Sequence, residues 1–376
     1  MEAKNHAQLT KPHLGYFSRN ELSILGSHCA DIKKLALLIA HELKDSWDLV
    51  YVDADHKSKE EVTATPAPFT ALYTDKIQYH EYQLQTAPSL PFKNSFYDHG
   101  AVTLINGNHN KGKSQIVIIN PDKEASLLKR KENLTHVIAF VAKEKTVPAY
   151  IKNSISNYAN IPLFSWDEKH EIANTIKLHL KNQLPPIMGL ILAGGQSTRM
   201  GVDKSKLIYH AKPQHEHLND IMQPYCEDIF ESCRPNQVNQ FKAPLEDTFL
   251  GLGPMGGILT AFQKNPNAAW LTIACDVPLV KSQTIQLLVE GRNPNKLATC
   301  FYNSQTQFPE PLITLWEPKA YPVLLDFLSR GYSCPRKVLI NSSIEMLTIE
   351  DEKVLFNANT PEDKSEATKV LSNRES

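Results

Sequence analysis

Residues 187–207 read IMGLILAGGQSTRMGVDKSKL, and this stretch decides how the rest of the 376-residue chain is read. Met188 to Ala193 is a short, nearly unbroken apolar run that suits a buried parallel strand. It breaks at Gly194-Gly195, where backbone can approach a ligand with no Cβ in the way. Gln196, Ser197 and Thr198 then offer hydroxyl, amide and main-chain donors to phosphate oxygens, while Arg199 supplies a planar fork and Lys204 a point charge. That is the equipment of a nucleoside triphosphate site. A bare glycine pair alone would leave open a plain strand-to-helix turn with two surface cations.

The full string from Leu192 to Lys204, L-A-G-G-x-S-x-R-M-G-x-D-K, resembles the signature of the nucleotidyltransferases that make molybdenum cofactor dinucleotides. More closely it is similar to the molybdenum cofactor guanylyltransferases (the MobA family), whose cytidylyltransferase cousins carry Leu-Ala-Ala-Gly where this chain has Leu-Ala-Gly-Gly. The resemblance runs from about residue 187 to 366. It implies a Rossmann-like nucleotidyltransferase fold and Mg²⁺-dependent transfer of GMP from GTP to the molybdopterin cofactor, forming molybdopterin guanine dinucleotide and pyrophosphate. Within it Leu192, Ala193, Gly194 and Gly195 would line the nucleotide with main chain, and Arg199 and Lys204 would take the charge developing on the triphosphate.

Downstream, Ile221–Cys226 and Ile229–Ser232 suggest a helix and then a strand, and the resemblance places Ser232 near the nucleotide base. Gly253-Pro-Met-Gly-Gly257 makes a tight turn before a helix over Ile258–Gln263. It resembles the family's G-P-L-A-G-I element, with Met255-Gly256 in place of Leu-Ala, and Asp247 stands where an aspartate contacts GTP. A carboxylate can accept both donors on a guanine edge. Trp270 to Asp276 reads as a buried strand ending in a carboxylate, a position that projects into the crevice at a sheet's carboxyl edge. By resemblance Asp276 is the Mg²⁺ ligand; one or two carboxylates plus phosphate oxygens and water suffice for that ion. Thr299–Tyr302 and Pro311–Trp316 read as strands, Ala320–Arg330 as a helix. Asn357 and Asn359 precede a Thr-Pro helix start, where asparagines commonly cap. The family's N-x-N-T-P-E matches them, which implies that they also help order metal and substrate. After Lys364 the chain reads as a polar, frayed tail.

The length suits two domains, with the boundary in the polar, proline-terminated Lys181-Asn-Gln-Leu-Pro-Pro186: residues 1–185 and 186–376. Both are expected to be α/β, each a mostly parallel sheet flanked by helices. Formal net charge is −1, which argues against a nucleic-acid partner. No apolar stretch reaches bilayer length and the polar start lacks a signal-peptide core, so a cytoplasmic protein away from membranes is expected. The six cysteines form no C-x-x-C pair and are expected as reduced thiols.

In residues 1–185, Glu21–Leu25, Trp47–Val52, Ala101–Ile105, Val137–Ala142 and Ile161–Phe164 read as strands, and Asp31–Leu43, Pro148–Asn157 and Asp167–Leu180 as helices. Residues 57–99 give no clear pattern. The loop Gly26-Ser-His-Cys-Ala-Asp-Ile-Lys33 lacks the Gly-Lys-Ser/Thr ending that a phosphate loop needs, and Asp53-Ala-Asp-His56 reads as solvated loop carboxylates. Gly107 to Ser114 matches the phosphate-loop pattern letter for letter, yet it runs into the β-branched Ile116-Val-Ile-Ile119, which favours a strand over a helix. The order of elements resembles the GTP-binding companion of the guanylyltransferases (the MobB family), with its phosphate loop degraded. That implies a non-catalytic adaptor, with molybdoenzymes or cofactor donor proteins as partners, beside a transferase whose alternative substrate is CTP.

Overall fold

The computed structural model describes residues 16–54, 69–194 and 204–375, so Gly195 and Arg199 lie outside the described residues. The chain divides into two compact units, Met1–Gln183 and Leu184–Ser376.

The first unit runs β1 (Asn20–Leu25), α1 (Cys29–Leu43), β2 (Leu49–Val52), β3 (Ala71–Asp75), β4 (His80–Leu84), α2 (Leu90–Tyr97), β5 (Val102–Asn106), β6 (Ser114–Ile119), α3 (Glu124–Leu128), β7 (Val137–Ala142), α4 (Ala149–Ser154), β8 (Leu163–Ser165) and α5 (Lys169–Asn182). Its sheet has the order β2-β5-β1-β6-β7-β8, and every pairing is parallel. The central β1 is buried along its whole length, so its polar residues need partners: Arg19 sits 2.9 Å from Glu21 and 3.5 Å from Asp98. The helix α1 buries Ile32, Leu35, Ala36, Ile39 and Leu43, the stripe that its sequence spacing predicts.

Gly107–Ser114 leads straight into β6, as the β-branched run predicts. The reason for its glycines is visible. β5 and β6 flank β1 in parallel, so their short connection crosses close to β1. A Cβ on Gly107 would lie 2.9 Å from Leu25 Cβ and 3.0 Å from the Ile24 carbonyl oxygen; one on Gly112 would lie 2.9 Å from the Ser23 nitrogen. Close backbone packing produces the phosphate-loop pattern here. In the segment without clear pattern, β3 and β4 form a separate hairpin followed by α2, and none of these three elements buries a residue.

The second unit runs β9 (Ile187–Leu192), α6 (Gln214–Met222), β10 (Ile229–Cys233), β11 (Pro244–Glu246), α7 (Pro254–Lys264), β12 (Ala269–Ala274), α8 (Ser282–Glu290), β13 (Ala298–Asn303), β14 (Phe308–Trp316), α9 (Ala320–Ser329), α10 (Pro335–Ile340), β15 (Glu345–Leu347) and α11 (Pro361–Glu375). Its sheet order is β11-β10-β9-β12-β14-β13-β15, with β14 antiparallel to both neighbours. Trp270, Trp316 and Phe262 pack in the core on one face, Leu271, Ile273 and Phe301 on the other. From β9 the chain steps outward to β10 and β11, then returns to the opposite side of β9 as β12. That reversal opens a crevice at the carboxyl ends of β9 and β12, where open α/β sheets bind ligands.

Two expectations are corrected. The helix expected at Ile221–Cys226 is α6, which ends at Met222; its buried face is Gln214, His215, Leu218 and Met222, and Pro224 stops it. The tail after Lys364 is helical through Glu375. Asp363 Oδ2 accepts from the Asn359 and Thr360 nitrogens, both at 2.8 Å, and the Asp363 nitrogen donates to Thr360 Oγ1, a reciprocal start that caps α11, while buried Ala367 anchors it. All six cysteines are free thiols, and no helix among the described residues is long and apolar enough to cross a membrane.

Candidate active site

The crevice at the switch point is a cavity of about 970 Å³. Its floor comes from strand ends, with Leu192, Ala193 and Gly194 after β9, Ser232 on β10 and Asp276 just past β12. Lys204, Asp247 and Asn359 complete the set of sequence-predicted residues that the structure brings to this one cavity.

Lys204 lines it. Its Nζ donates to Asn359 Oδ1 at 2.6 Å and stands 3.5 Å from Asp276 Oδ2. The segment bearing the two asparagines is fixed against the end of β12, because the Ala358 nitrogen donates to the main-chain oxygen of Asp276 at 2.7 Å. Asn357 does not line the cavity; its Nδ2 donates to the Leu355 oxygen at 3.3 Å. Burial pushes the Asp276 carboxyl above the ordinary carboxylate range, and the Lys204 ammonium opposes that push. Asp276 Oδ1 and Asn357 Oδ1 are buried with no hydrogen-bond partner among the described residues. Such orphaned oxygens are costly unless a ligand answers them. Of the two, the Asp276 oxygen belongs to a cavity-lining residue; it is a hard donor and fits a divalent cation that takes oxygen ligands from few protein groups.

Asp247 belongs to the loop after β11. Ser232 Oγ donates to its Oδ1 at 2.7 Å, and its Oδ2 would lie 3.1 Å from a Cβ placed on Gly194. Burial raises Asp247 to about 6, with the Ser232 hydrogen bond pulling the other way. A carboxylate so held presents acceptor oxygens beside the glycine that lets backbone and ligand come close.

The glycine turn before α7 has a packing cause. A Cβ on Gly256 would stand 2.2 Å from the Phe249 carbonyl oxygen, and one on Gly257 would stand 2.4 Å from Ser232 Oγ. The first turn of α7 therefore lies directly on the loop that carries Asp247 and on the hydroxyl that holds it. Gly256→Ala is expected to destabilise the protein by about 1–3 kcal/mol, since backbone must move to admit the methyl group. Denaturant unfolding checks this; unchanged stability would mean that the loop yields freely.

Sequence reasoning missed Arg234, Asn236, Phe249 and Leu312, which also line the cavity. Arg234 has a local signal, since it follows a strand end and its Nε donates to Gln237 Oε1 at 3.3 Å. Leu312 has none, because it arrives on the antiparallel strand β14 from a distant part of the chain.

Residues 189–344 match the family described as the MobA-like NTP transferase domain. This part of the chain, called the transferase domain below, is similar to that family. The transferase domain is accompanied by similarity to named proteins. The molybdenum cofactor biosynthesis bifunctional protein of Synechocystis sp. is 35% identical over 184 residues, covering 47% of this chain and 52% of that protein. The chain thus spans about half of that relative's length. The molybdenum cofactor guanylyltransferase of Pseudomonas putida is 27% identical over 191 residues, covering 49% of this chain and 98% of that protein. Among solved structures, the molybdopterin-guanine dinucleotide biosynthesis protein A of Archaeoglobus fulgidus aligns with a TM-score of 0.43 at 22% identity, over 50% of this chain and 99% of that one. The part of the chain that matches this family gathers its strand-end residues in one cavity.

Proposed function

We propose that the transferase domain transfers GMP from GTP to the terminal phosphate of the molybdopterin cofactor, with Mg²⁺, releasing pyrophosphate. The observation that carries this reading is the convergence on one cavity of the Lys204–Asp276 pair and the Ser232-held carboxylate of Asp247. An acceptor phosphate oxygen attacks the α-phosphorus in line, the bond to the β-phosphate breaks, and no covalent protein intermediate is needed. Lys204 neutralises charge as it passes to pyrophosphate, with Arg199 assigned the same task. Leu192, Ala193 and Gly194 present main chain to the nucleotide, with Gly195 assigned the same task, and Asp276, with Asn359 beside it, would hold the metal, which supplies charge neutralisation on the triphosphate.

Asp247 favours guanine over cytosine. Guanine shows two adjacent donors, N1–H and the 2-amino group, to a carboxylate, whereas cytosine shows a single exocyclic amine. Competition between GTP and CTP with molybdopterin as acceptor is the test, read by the mass of the dinucleotide product; preferential CMP incorporation would reject the guanylyl reading. In the same assay residues 186–376 alone are expected to retain transfer, since residues 1–185 are assigned an adaptor role that draws on the unburied aromatic surface of β3, β4 and α2. Loss of transfer there would reject that role.

Because Asp247 must be ionised to accept both donors, guanosine affinity is expected to be flat above pH 6 and to fall about tenfold per pH unit below it. Guanosine has no phosphate to titrate, so its inhibition constant measured against pH isolates this carboxylate. A profile that is level from pH 5 to 7 would remove Asp247 from the base pocket.

A further inference from the structure

The first unit holds a cavity of about 210 Å³ at the carboxyl end of β1, apart from everything the transferase domain uses. Cys29 lines it as the first residue of the 15-residue α1, half-buried, where unpaired main-chain N–H groups favour a negative charge. Its Sγ stands 3.3 Å from His109 Nε2. The loop that presents His109 is tied down on both sides: Asn108 Nδ2 donates to the Ser27 oxygen at 3.0 Å, and Arg130 Nη1 donates to the Asn108 oxygen at 3.2 Å.

Asp53, exposed just past the end of β2, is near enough to His109 for their charges to interact. Burial would raise this carboxyl, but hydrogen bonds from Asn106 Nδ2 at 2.7 Å, the Ala54 nitrogen at 2.8 Å and Tyr51 Oη at 3.0 Å, together with the charge of His109, outweigh it and hold the group ionised. Thiol and imidazole thus stand at the contact distance that makes a cysteine nucleophilic, with a carboxylate in electrostatic reach of the imidazole. The other charged groups around the pair are Asp31 on the same helix, engaged by Ser27 Oγ at 2.5 Å, and Lys123 and Arg130 from the segment after β6, both on the cavity wall. The wall is therefore cationic where the thiol opens.

We propose that Cys29 is a reactive thiol that exchanges with small disulfides bearing carboxylate groups, with His109 as its base and Lys123 and Arg130 receiving the carboxylate. His109 Nε2 takes the Sγ proton, and the thiolate attacks one sulfur of R–S–S–R. A disulfide forms between Cys29 and that sulfur as the original S–S bond breaks. The departing thiolate takes the proton from His109 and leaves as RSH, so Cys29 is oxidised to the mixed disulfide as the reagent is reduced.

The full-length reduced protein is treated with 5,5′-dithiobis(2-nitrobenzoate), an anionic disulfide, and with cationic cystamine, and modified peptides are followed by mass spectrometry. Cys334, exposed and in the second unit, is the internal reference. Cys29 is expected to react at least about tenfold faster than Cys334 with the anionic reagent at pH 7, with a smaller advantage for cystamine. His109→Ala and His109→Gln are both expected to abolish the advantage and to change the pH profile of the Cys29 reaction. Lys123→Gln is expected to keep the pH profile and lose the preference for the anion. The proposal fails if Cys29 reacts no faster than Cys334, if neither His109 variant changes its rate or profile, or if Lys123→Gln leaves the anion preference unchanged.

Discussion

Asp276→Asn is expected to lower nucleotidyl transfer by about three orders of magnitude while the protein keeps its fold. The substitution preserves shape and removes only charge. Asp276 stands at the end of β12, where the sheet's own hydrogen bonding fixes its backbone and the Ala358 nitrogen fixes its carbonyl, so an asparagine will occupy the same place. What it loses is the charge on Oδ1, which has no hydrogen-bond partner among the described residues and is the atom proposed to anchor a divalent cation. The carboxyl is already pushed up by burial, so its ionised form costs stability as pH rises through its folded-state pKa. The asparagine variant should therefore melt no lower than wild type at neutral pH. Steady-state rates, Mn²⁺ titration and thermal unfolding together check this. Transfer within tenfold of wild type would remove Asp276 from the reaction, and unchanged Mn²⁺ affinity would remove it from the metal.

Lys204→Ala is expected to reduce turnover by about a hundred- to a thousandfold, more in kcat than in KM, because charge on the departing pyrophosphate grows only towards the transition state. Its stability effect has the opposite sign to that of Asp276→Asn. The ammonium is the cation facing the buried Asp276 carboxylate and the donor to Asn359, and removing it leaves both unanswered, at a cost of about 1–3 kcal/mol. In the double variant the two changes should not add, since each removes the other's partner. Wild-type kcat in Lys204→Ala would sink the assignment.

The parts of this molecule legible in its sequence are those whose cause is local. Met188–Ala193 is apolar without interruption, so it reads as a buried strand, and β9 is that strand. Asp276 comes just after the mostly apolar run of β12 and Cys275, which places it at a strand end without knowledge of any partner. The hidden parts depend on distant contacts. The frayed-tail reading failed because a single reciprocal cap at Thr360 and Asp363 and one buried alanine outweigh the polarity of everything after them. Leu312 reaches the cavity through an antiparallel pairing that no local spacing encodes. Gly107 to Ser114 shows the converse case. There a familiar string of letters arises from close approach to β1, and the β-branched residues after it carry the truer signal.

The hydrogen bond from Lys204 to Asn359 closes a loop of 155 residues. A ribosome adding roughly 5–20 residues per second needs on the order of ten seconds to pass from one partner to the other. Within that interval the strands from β9 to β12 that frame the crevice are completed, while the asparagine that pairs with the lysine has still to be made. The lysine therefore waits for its partner until every strand that frames the crevice has been made, and the pairing cannot be an early event in the folding of this unit.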